Sequence, residues 1–253
     1  FYECEWAGVD PSDGAPMWFQ YYDDINNNGI FDANEPTSGS SSWIPVDSEI
    51  TNASGSIVEY RQLVPGNNIK KRVTKNYADA SDVYLNKSGI ADVRGAFRLT
   101  GKIHNFTFST QFTYSLGGYA YDGNYGELMS DRFGAVGNNF HTDISNRWQN
   151  PGDVTDVPRL ADGADQNATS SSSRFVTSTD HLALNNVNIG YDVPSRFLTG
   201  NGLESINLWM SADNLFMNTA RRGFLPTTSE SGGSGRRLYA PMSTITVGVR
   251  VKF

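Results

Sequence analysis

Residues 106–116 read FTFSTQFTYSL. Phe106, Phe108, Phe112, Tyr114 and Leu116 share one parity, while Thr107, Ser109, Gln111, Thr113 and Ser115 hold the other, and only Thr110 breaks the pattern. A period of two places successive side chains on opposite faces of a strand. The stretch just upstream, 93–103, repeats the scheme with Val93, Phe97, Leu99 and Ile103 on one side and Arg94, Arg98, Thr100 and Lys102 on the other. Only His104 and Asn105 separate the two runs, which predicts a tight antiparallel hairpin.

Three more runs follow the same rule. In 205–216 the apolar set is Ile206, Leu208, Met210 and Ala212. At the end of the chain Ile245, Val247, Val249, Val251 and Phe253 alternate with Thr244, Thr246, Gly248, Arg250 and Lys252. In 181–193 the apolar residues begin at Leu182 and Leu184, then change parity to Val187, Ile189, Tyr191 and Val193, so Asn185-Asn186 is expected to form a β-bulge.

Strands of this kind fit a soluble sandwich, with the apolar face in a core, or a transmembrane barrel, with the apolar face in lipid. Soluble strands run to about 5–6 residues, whereas a tilted membrane strand needs about 9–11. All five runs have membrane length. Their connections alternate in size: the turn at 104–105, the long segment 117–180, a modest turn at 194–204 and the long segment 217–242. Barrels of outer membranes have short periplasmic turns and long extracellular loops. With the last strand ending in the periplasm, both long segments fall outside. The expected fold is therefore all-β: antiparallel transmembrane β-barrel strands, a partial barrel of about five strands, with extracellular loops 117–180 and 217–242 in a region 93–253.

Composition agrees. Only 19% of residues are charged, and Gly, Ser, Asn, Thr and aromatics are plentiful, which favours strands and turns over helices. No apolar run approaches the roughly 20 residues of a membrane helix. A formal charge of −7 argues against nucleic acid as a partner. Cys4 is the sole cysteine, and His104, His141 and His181 lack metal-ligand spacing. Tracts such as 167–173 (NATSSSS) and 229–235 (SESGGSG) read as solvated loops. Asn-x-Ser/Thr triplets at Asn52, Asn86, Asn105 and Asn167 read as chance occurrences.

Several segments then become specific. RWQNPGDVTDVPRL (147–160), SSRFVTSTDHLALNNVNIGYDVP (172–194), INLWMSADNLF (206–216) and the closing STITVGVRVKF strongly resemble the C-terminal region of SusC/RagA-type TonB-dependent transporters. EWAGVDPSDGAPMW (5–18), VYLNKSG (83–89) and TYSLGGYAYD (113–122) are similar to theirs as well. The resemblance implies a large outer-membrane barrel of Bacteroidota, about 22 strands around an N-terminal plug. It implies import of oligosaccharides or peptides driven through TonB, with a SusD-like lipoprotein over the extracellular loops. It also implies that Phe253 belongs to the signal read by the outer-membrane insertion machinery. The chain begins with Phe rather than Met and shows neither plug nor TonB-binding segment, so it is expected to be a C-terminal part, unable to transport alone. The missing plug and strands would pair with its two edge strands, because open edges in lipid leave backbone groups unpaired.

One motif lies outside that frame. Residues 24–35, DINNNGIFDANE, carry the spacing of a twelve-residue calcium loop. Asp24, Asn26 and Asn28 would supply side-chain oxygens, Ile30 its carbonyl, Asp32 a direct or water-mediated contact and Glu35 a bidentate pair. Gly29 permits the sharp turn and Phe31 is an apolar anchor. The aromatic run before it (MWFQYY) reads as a strand, so the loop belongs between strands in a region 1–92 of loops and hairpins. Calcium is the expected cofactor, bound with modest affinity because two ligands are neutral amides. Trp18, Tyr119, Tyr121, Tyr125 and Trp148 are candidate substrate contacts, as aromatics that could stack on sugars or grip peptide; Tyr21 and Tyr22 share that chemistry. Arg94, Arg98, Lys102, Arg250 and Lys252 fall on lumen parity. No nucleophile elbow, HExxH or phosphate-cradling glycine loop occurs, so no enzyme is expected. The competing expectation is a secreted, calcium-stabilised β-sandwich that binds glycans. The two part on whether Phe106, Phe108, Phe112, Val247 and Val249 face outward or pack in a closed core.

Overall fold

The computed structural model describes residues 1–37, 47–51, 57–62, 68–131, 139–200, 202–221, 223–226 and 242–253. Asn52 and the 229–235 tract lie outside these residues, as does most of 217–242. The strands, in chain order, are β1 (Tyr2–Cys4), β2 (Trp6–Val9), β3 (Pro16–Asp23), β4 (Asp47–Thr51), β5 (Ile57–Gln62), β6 (Ile69–Thr74), β7 (Asp82–Tyr84), β8 (Val93–Ile103), β9 (Phe106–Leu116), β10 (Tyr119–Tyr121), β11 (Val176–Ser178), β12 (His181–Asp192), β13 (Ser205–Thr219) and β14 (Thr244–Lys252). A single short α-helix, α1 (Gly123–Leu128), and a few 3-10 turns are the helical elements among the described residues. The chain forms two compact units, 1–87 with 121–176, and 88–120 with 177–253.

The first unit contains a three-stranded antiparallel sheet in the order β2-β3-β6, and the pairs β1-β7 and β4-β5. The MWFQYY run is strand β3, whose alternate residues Pro16, Trp18, Gln20 and Tyr22 are buried. Trp18 centres the core with Cys4 and Ala80, meeting Trp6 and Tyr77 edge-on at 5.7 and 5.3 Å between ring centroids. Burial, aided by the neighbouring Asp82 carboxylate, pushes the Cys4 thiol up to about 12, so it behaves as a small core residue and not as a nucleophile. The expected region boundary at residue 92 falls instead at 87, and 121–176, expected as part of a loop of the strand region, folds with 1–87. The reason is hydrogen bonding between the two segments. Ser173 Oγ accepts Trp6 N at 2.9 Å, Asp156 Oδ1 accepts Trp6 Nε1 at 2.8 Å and the Ser171 carbonyl accepts Tyr77 Oη at 2.9 Å, while Phe175 is fully buried against Tyr121 and Tyr125 within the segment.

The second unit is the five-stranded antiparallel sheet β14-β13-β12-β9-β8, with β8 and β14 at its edges. Its strands are 9, 15, 12, 11 and 11 residues long in that order. The hairpin turn falls at 104–105 as the spacing requires, with His104 at φ 52° and Asn105 Nδ2 donating to the Asp192 carbonyl at 2.8 Å. Register carries the apolar parity straight across the sheet. Ile103, Phe106, Tyr191, Leu208 and Val249 form one cross-strand row, and Gly101, Phe108, Ile189, Met210 and Val247 the next. No charged residue falls on this face among the paired residues. Val247 is 73% exposed, Val249 62%, Phe106 53% and Phe108 42%. Phe112 is half-buried because it stacks on Phe97 at 4.9 Å. A face this apolar and this exposed has the pattern expected of lipid-facing barrel strands and is not packed as a sandwich core.

At Asn185 the register shifts between β12 and both its neighbours. Between the flanking pairs β9 takes one step (Gln111 to Phe112), β12 two (Asn186 to Leu184) and β13 three (Asp213 to Phe216). The sheet therefore fans open here, with Asn214 at φ 52° absorbing the second bulge. The fan keeps Leu182 and Leu184 on the same face as Val187 and Ile189. Glycines on both edge strands are covered by aromatics directly across: Tyr114 lies on Gly95, Phe108 on Gly101 and Trp209 on Gly248. These pairs shield edge backbone that has no side chain to do so.

Candidate functional site

The 24–35 loop leaves β3 at Asp23 and returns through a bridge from Thr37 to Tyr22. Its fold follows from two carboxylates turned inward. Asp24, 1% exposed, accepts from Asn28 N (3.0 Å) on Oδ1 and from Gly29 N (2.9 Å) on Oδ2. Glu35 accepts from Ile25 N at 3.1 Å and Asp32 N at 2.9 Å, tying the second and ninth positions to the twelfth. Asn26 Oδ1 and Asn28 Oδ1 each accept the backbone N–H two residues on, at 3.0 and 2.7 Å. Gly29, at φ 74°, supplies the left-handed turn. Phe31 is the apolar anchor, edge-on to Tyr22 at 5.3 Å and under the Arg72 guanidinium at 3.8 Å.

These residues fit a calcium loop in type and order, and Asp24 Oδ1 and both Glu35 oxygens each accept a single backbone N–H, whereas Asp24 Oδ2 also accepts Asn68 Nδ2 at 3.3 Å. Two features qualify the fit. Asp32 Oδ2 accepts Asn26 Nδ2 at 2.6 Å and Asn28 Nδ2 at 3.0 Å, so amide hydrogens face it where a cation would stand. Among the described residues no three His, Cys, Asp or Glu side chains draw together as a metal centre. A residue outside the motif also holds the loop. Asn68, just before β6, donates through Nδ2 to the Asp24 carbonyl at 3.1 Å and to Asn27 Oδ1 at 2.8 Å. Nothing in the twelve-residue spacing points to Asn68, because the contact comes from the neighbouring strand.

The aromatic candidates do not form one surface. Trp18, a proposed substrate contact, is buried in the first unit's core and offers no stacking face. Tyr121 and Tyr125 pack edge-on to Phe175 at 6.2 and 6.1 Å. Tyr125 donates its hydroxyl to Asp143 Oδ2 at 2.9 Å. Burial first, and that hydrogen bond second, push the phenol up to about 12. Tyr119 lies in β10, half-buried. Trp148 is half-buried and donates Nε1 to the Pro11 carbonyl at 3.0 Å.

Trp148 belongs to a corner that sequence inspection alone does not assemble. Pro11 O also accepts Gly152 N at 2.7 Å, and Gly14 O accepts Arg159 N at 3.0 Å. Arg159 Nη1 reaches Asp13 O at 2.9 Å. The DPSDG turn (10–14) and the WQNPGD turn (148–153) are thus knitted together. Asp153 Oδ2 caps the latter by accepting Gln149 N and Asn150 N at 3.0 and 2.8 Å. Phe253, expected as an insertion signal, is 86% exposed on the apolar parity of β14's end. Of the lumen-parity cations, Arg98 donates to Gln111 Oε1 at 2.7 Å, Lys102 stands 3.9 Å from Asp192 and Lys252 pairs with Glu204 at 2.6 Å.

No family model matches the chain. TonB-dependent receptor P39 of Formosa agariphila is 29% identical over 187 residues, covering 70% of this chain and 18% of the relative. TonB-dependent receptor P3 of the same organism is 30% identical over 159 residues, 59% of this chain and 15% of the relative. The chain thus spans under a fifth of the length of these relatives. Among solved structures, the RagAB peptide transporter aligns over all of this chain and 23% of its own, with a TM-score of 0.61 at 22% identity. The RagAB peptide importer in its closed-closed state gives 0.63 at 20% over the same shares. These structural likenesses speak to fold, and the fold is that of the strands and loops described above. By sequence the chain is similar to a segment of TonB-dependent receptors, and its fold is that of the matching part of the RagAB transporter.

Proposed function

We propose that this segment supplies C-terminal strands to a SusC-like importer in a bacterial outer membrane. The observation that carries the reading is the uncharged, exposed apolar face running in register across five strands of membrane-crossing length. Its edges β8 and β14 would pair with further barrel strands, which would also surround a plug. In the complete protein TonB would act through the part outside this chain, and a SusD-like lipoprotein would sit over the surface loops. The cargo is an oligosaccharide or a peptide. The segment is not transport-competent alone and has no catalytic role. Calcium at Asp24, Asn26, Asn28, Ile30, Asp32 and Glu35 would stiffen a surface loop; millimolar extracellular calcium suits its modest ligand charge.

Single cysteines in the complete transporter test the membrane reading, since native Cys4 is buried. At Phe108 and Val247 they should resist water-soluble maleimide in native membranes and react with a lipid-soluble one, while at Ser109 and Thr246 they should label from water. Equal aqueous labelling at all four sites defeats the reading. For the loop, hydrogen exchange over 24–35 should slow with calcium in wild type but not in Asp24→Ala; identical, calcium-independent protection in both defeats the calcium claim.

A further inference from the structure

The polar face of the sheet carries one Phe, Tyr or Trp among its described strand residues, and that is Trp209. Its neighbours across the ladder are both glycine: Gly190 on β12 and Gly248 on β14. The indole leans over Gly248, where a Cβ would stand 2.5 Å from Trp209 Cε2 and Cζ2. On the other side, over Gly190, the surface stays open as a cavity of about 260 Å³ lined by Thr107, Ser109, Asn188, Gly190, Asn207 and Trp209, with Phe108, Ile189 and Met210 of the opposite parity between them. Gly190 keeps that floor clear, since a Cβ there would meet Thr107 Oγ1 at 2.6 Å.

We propose that Trp209 and the hydroxyl and amide groups around Gly190 form a saccharide subsite on the polar face of the sheet. This rests on the reading of that face as the importer's lumen, and it names a neutral sugar as the cargo unit. The chemistry of the lining selects the ligand. An indole gives a flat apolar surface for the C–H face of a pyranose, and hydroxyls with amides answer its ring hydroxyls. No ionised side chain lines the cavity. The charges nearest in register are Lys102, across from Thr107 and 3.9 Å from Asp192 Oδ2, and Arg250, across from Asn207; Asp192 Oδ1 accepts Asn207 Nδ2 at 2.8 Å. The lining itself thus offers a ligand hydroxyl, amide and indole groups and no charge of its own, which a neutral sugar needs and an ionised group does not favour. Shielding of an edge glycine accounts for the side of the ring over Gly248. It does not account for the glycine and amides kept on the other side.

The test uses the complete transporter in detergent and saturation-transfer NMR. The probes are the methyl glycosides of glucose, galactose and mannose, with acetyl-Ala-Gly-Ala-amide as the neutral peptide control. Transfer to ring C–H protons of at least one glycoside is expected, about three- to tenfold weaker in Trp209→Ala and retained in Trp209→Phe. Gly190→Ala, which leaves the Trp209–Gly248 pair intact, should weaken it similarly and stands in if Trp209→Ala does not fold. No transfer from any glycoside, transfer independent of both residues, or transfer to the peptide alone overturns the subsite. The maleimide pattern above is read separately, so a failed lumen assignment and a failed subsite are told apart.

Discussion

The indole of Trp148 lies against the backbone of Gly14, so that a Cβ on residue 14 would stand 2.5 Å from Trp148 Cδ2 and Cε3. Gly14 also sits at φ 73°, where a side chain is strained whatever the space. Gly14→Ala is therefore doubly penalised, by backbone and by collision. It should cost about 1–3 kcal/mol and open the corner that joins 10–14 to 148–153. Limited proteolysis in those two segments should rise together. Cleavage rising in one alone would show that the two turns are not coupled.

The same corner shows what sequence could and could not supply. Alternation located β8 and β9 to the residue, and their two-residue turn, because period two is written in each strand by itself. The bulge at Asn185 was legible as a change of parity, whereas its partner at Asn214 was not. That second bulge leaves the apolar set Ile206, Leu208, Met210 and Ala212 undisturbed and shows only as one Asn in left-handed conformation. The oxygen-bearing positions of the 24–35 loop are legible from spacing; Asn68 is not, since its contact comes from outside the loop. Trp18, buried in the core, and Trp148, half-buried on Gly14, take their surroundings from contacts that the sequence does not display. Whether an aromatic stacks on a ligand or on Ala80 and Gly14 depends on long-range packing, which composition does not encode.

Deleting Asn185 tests whether the bulge sets the faces of β12. Without it Leu182 and Leu184 turn to the polar side, and His181 and Ala183 to the apolar one. Folded yield of the complete transporter in membranes should collapse. Asn185→Ala keeps the residue count and loses only the hydrogen bond from Thr113 Oγ1 at 2.7 Å, about 0.5–1.5 kcal/mol. Equal yields for the two variants would mean that register, not the bulge, is free to adjust.

Tyr125 makes the first unit sensitive to alkali. Its phenol is raised from 10.0 to about 12, mainly by burial and then by its bond to Asp143. A folded value above the unfolded one means the stabilisation is complete below pH 10 and is lost as pH rises through about 12. Tyr125→Phe forfeits the hydrogen bond at neutral pH but has no proton to lose. The stability gap between wild type and variant, measured by denaturant unfolding, should be about 1 kcal/mol at pH 7 and shrink towards pH 11. Burial pushes Tyr77 and Cys4 up as well, so both proteins weaken in alkali; only the narrowing of the gap reports Tyr125.

Val247 and Thr246 are neighbours on β14 whose side chains leave the sheet on opposite faces, and both are exposed. In water, an arginine at either site would be tolerated, because exposed edge positions accept charge readily. In a bilayer the two differ. Val247 lies in the uncharged row with Met210, Ile189 and Phe108, so Val247→Arg places a guanidinium in hydrocarbon at a cost of about 2–4 kcal/mol near the midplane. Thr246→Arg joins Arg250 on the polar face and should cost under about 1 kcal/mol. Urea unfolding of the complete barrel in lipid vesicles reads the difference directly. A large loss at 247 with little at 246 is what a lipid-facing parity requires, and equal losses would place both faces in the same solvent.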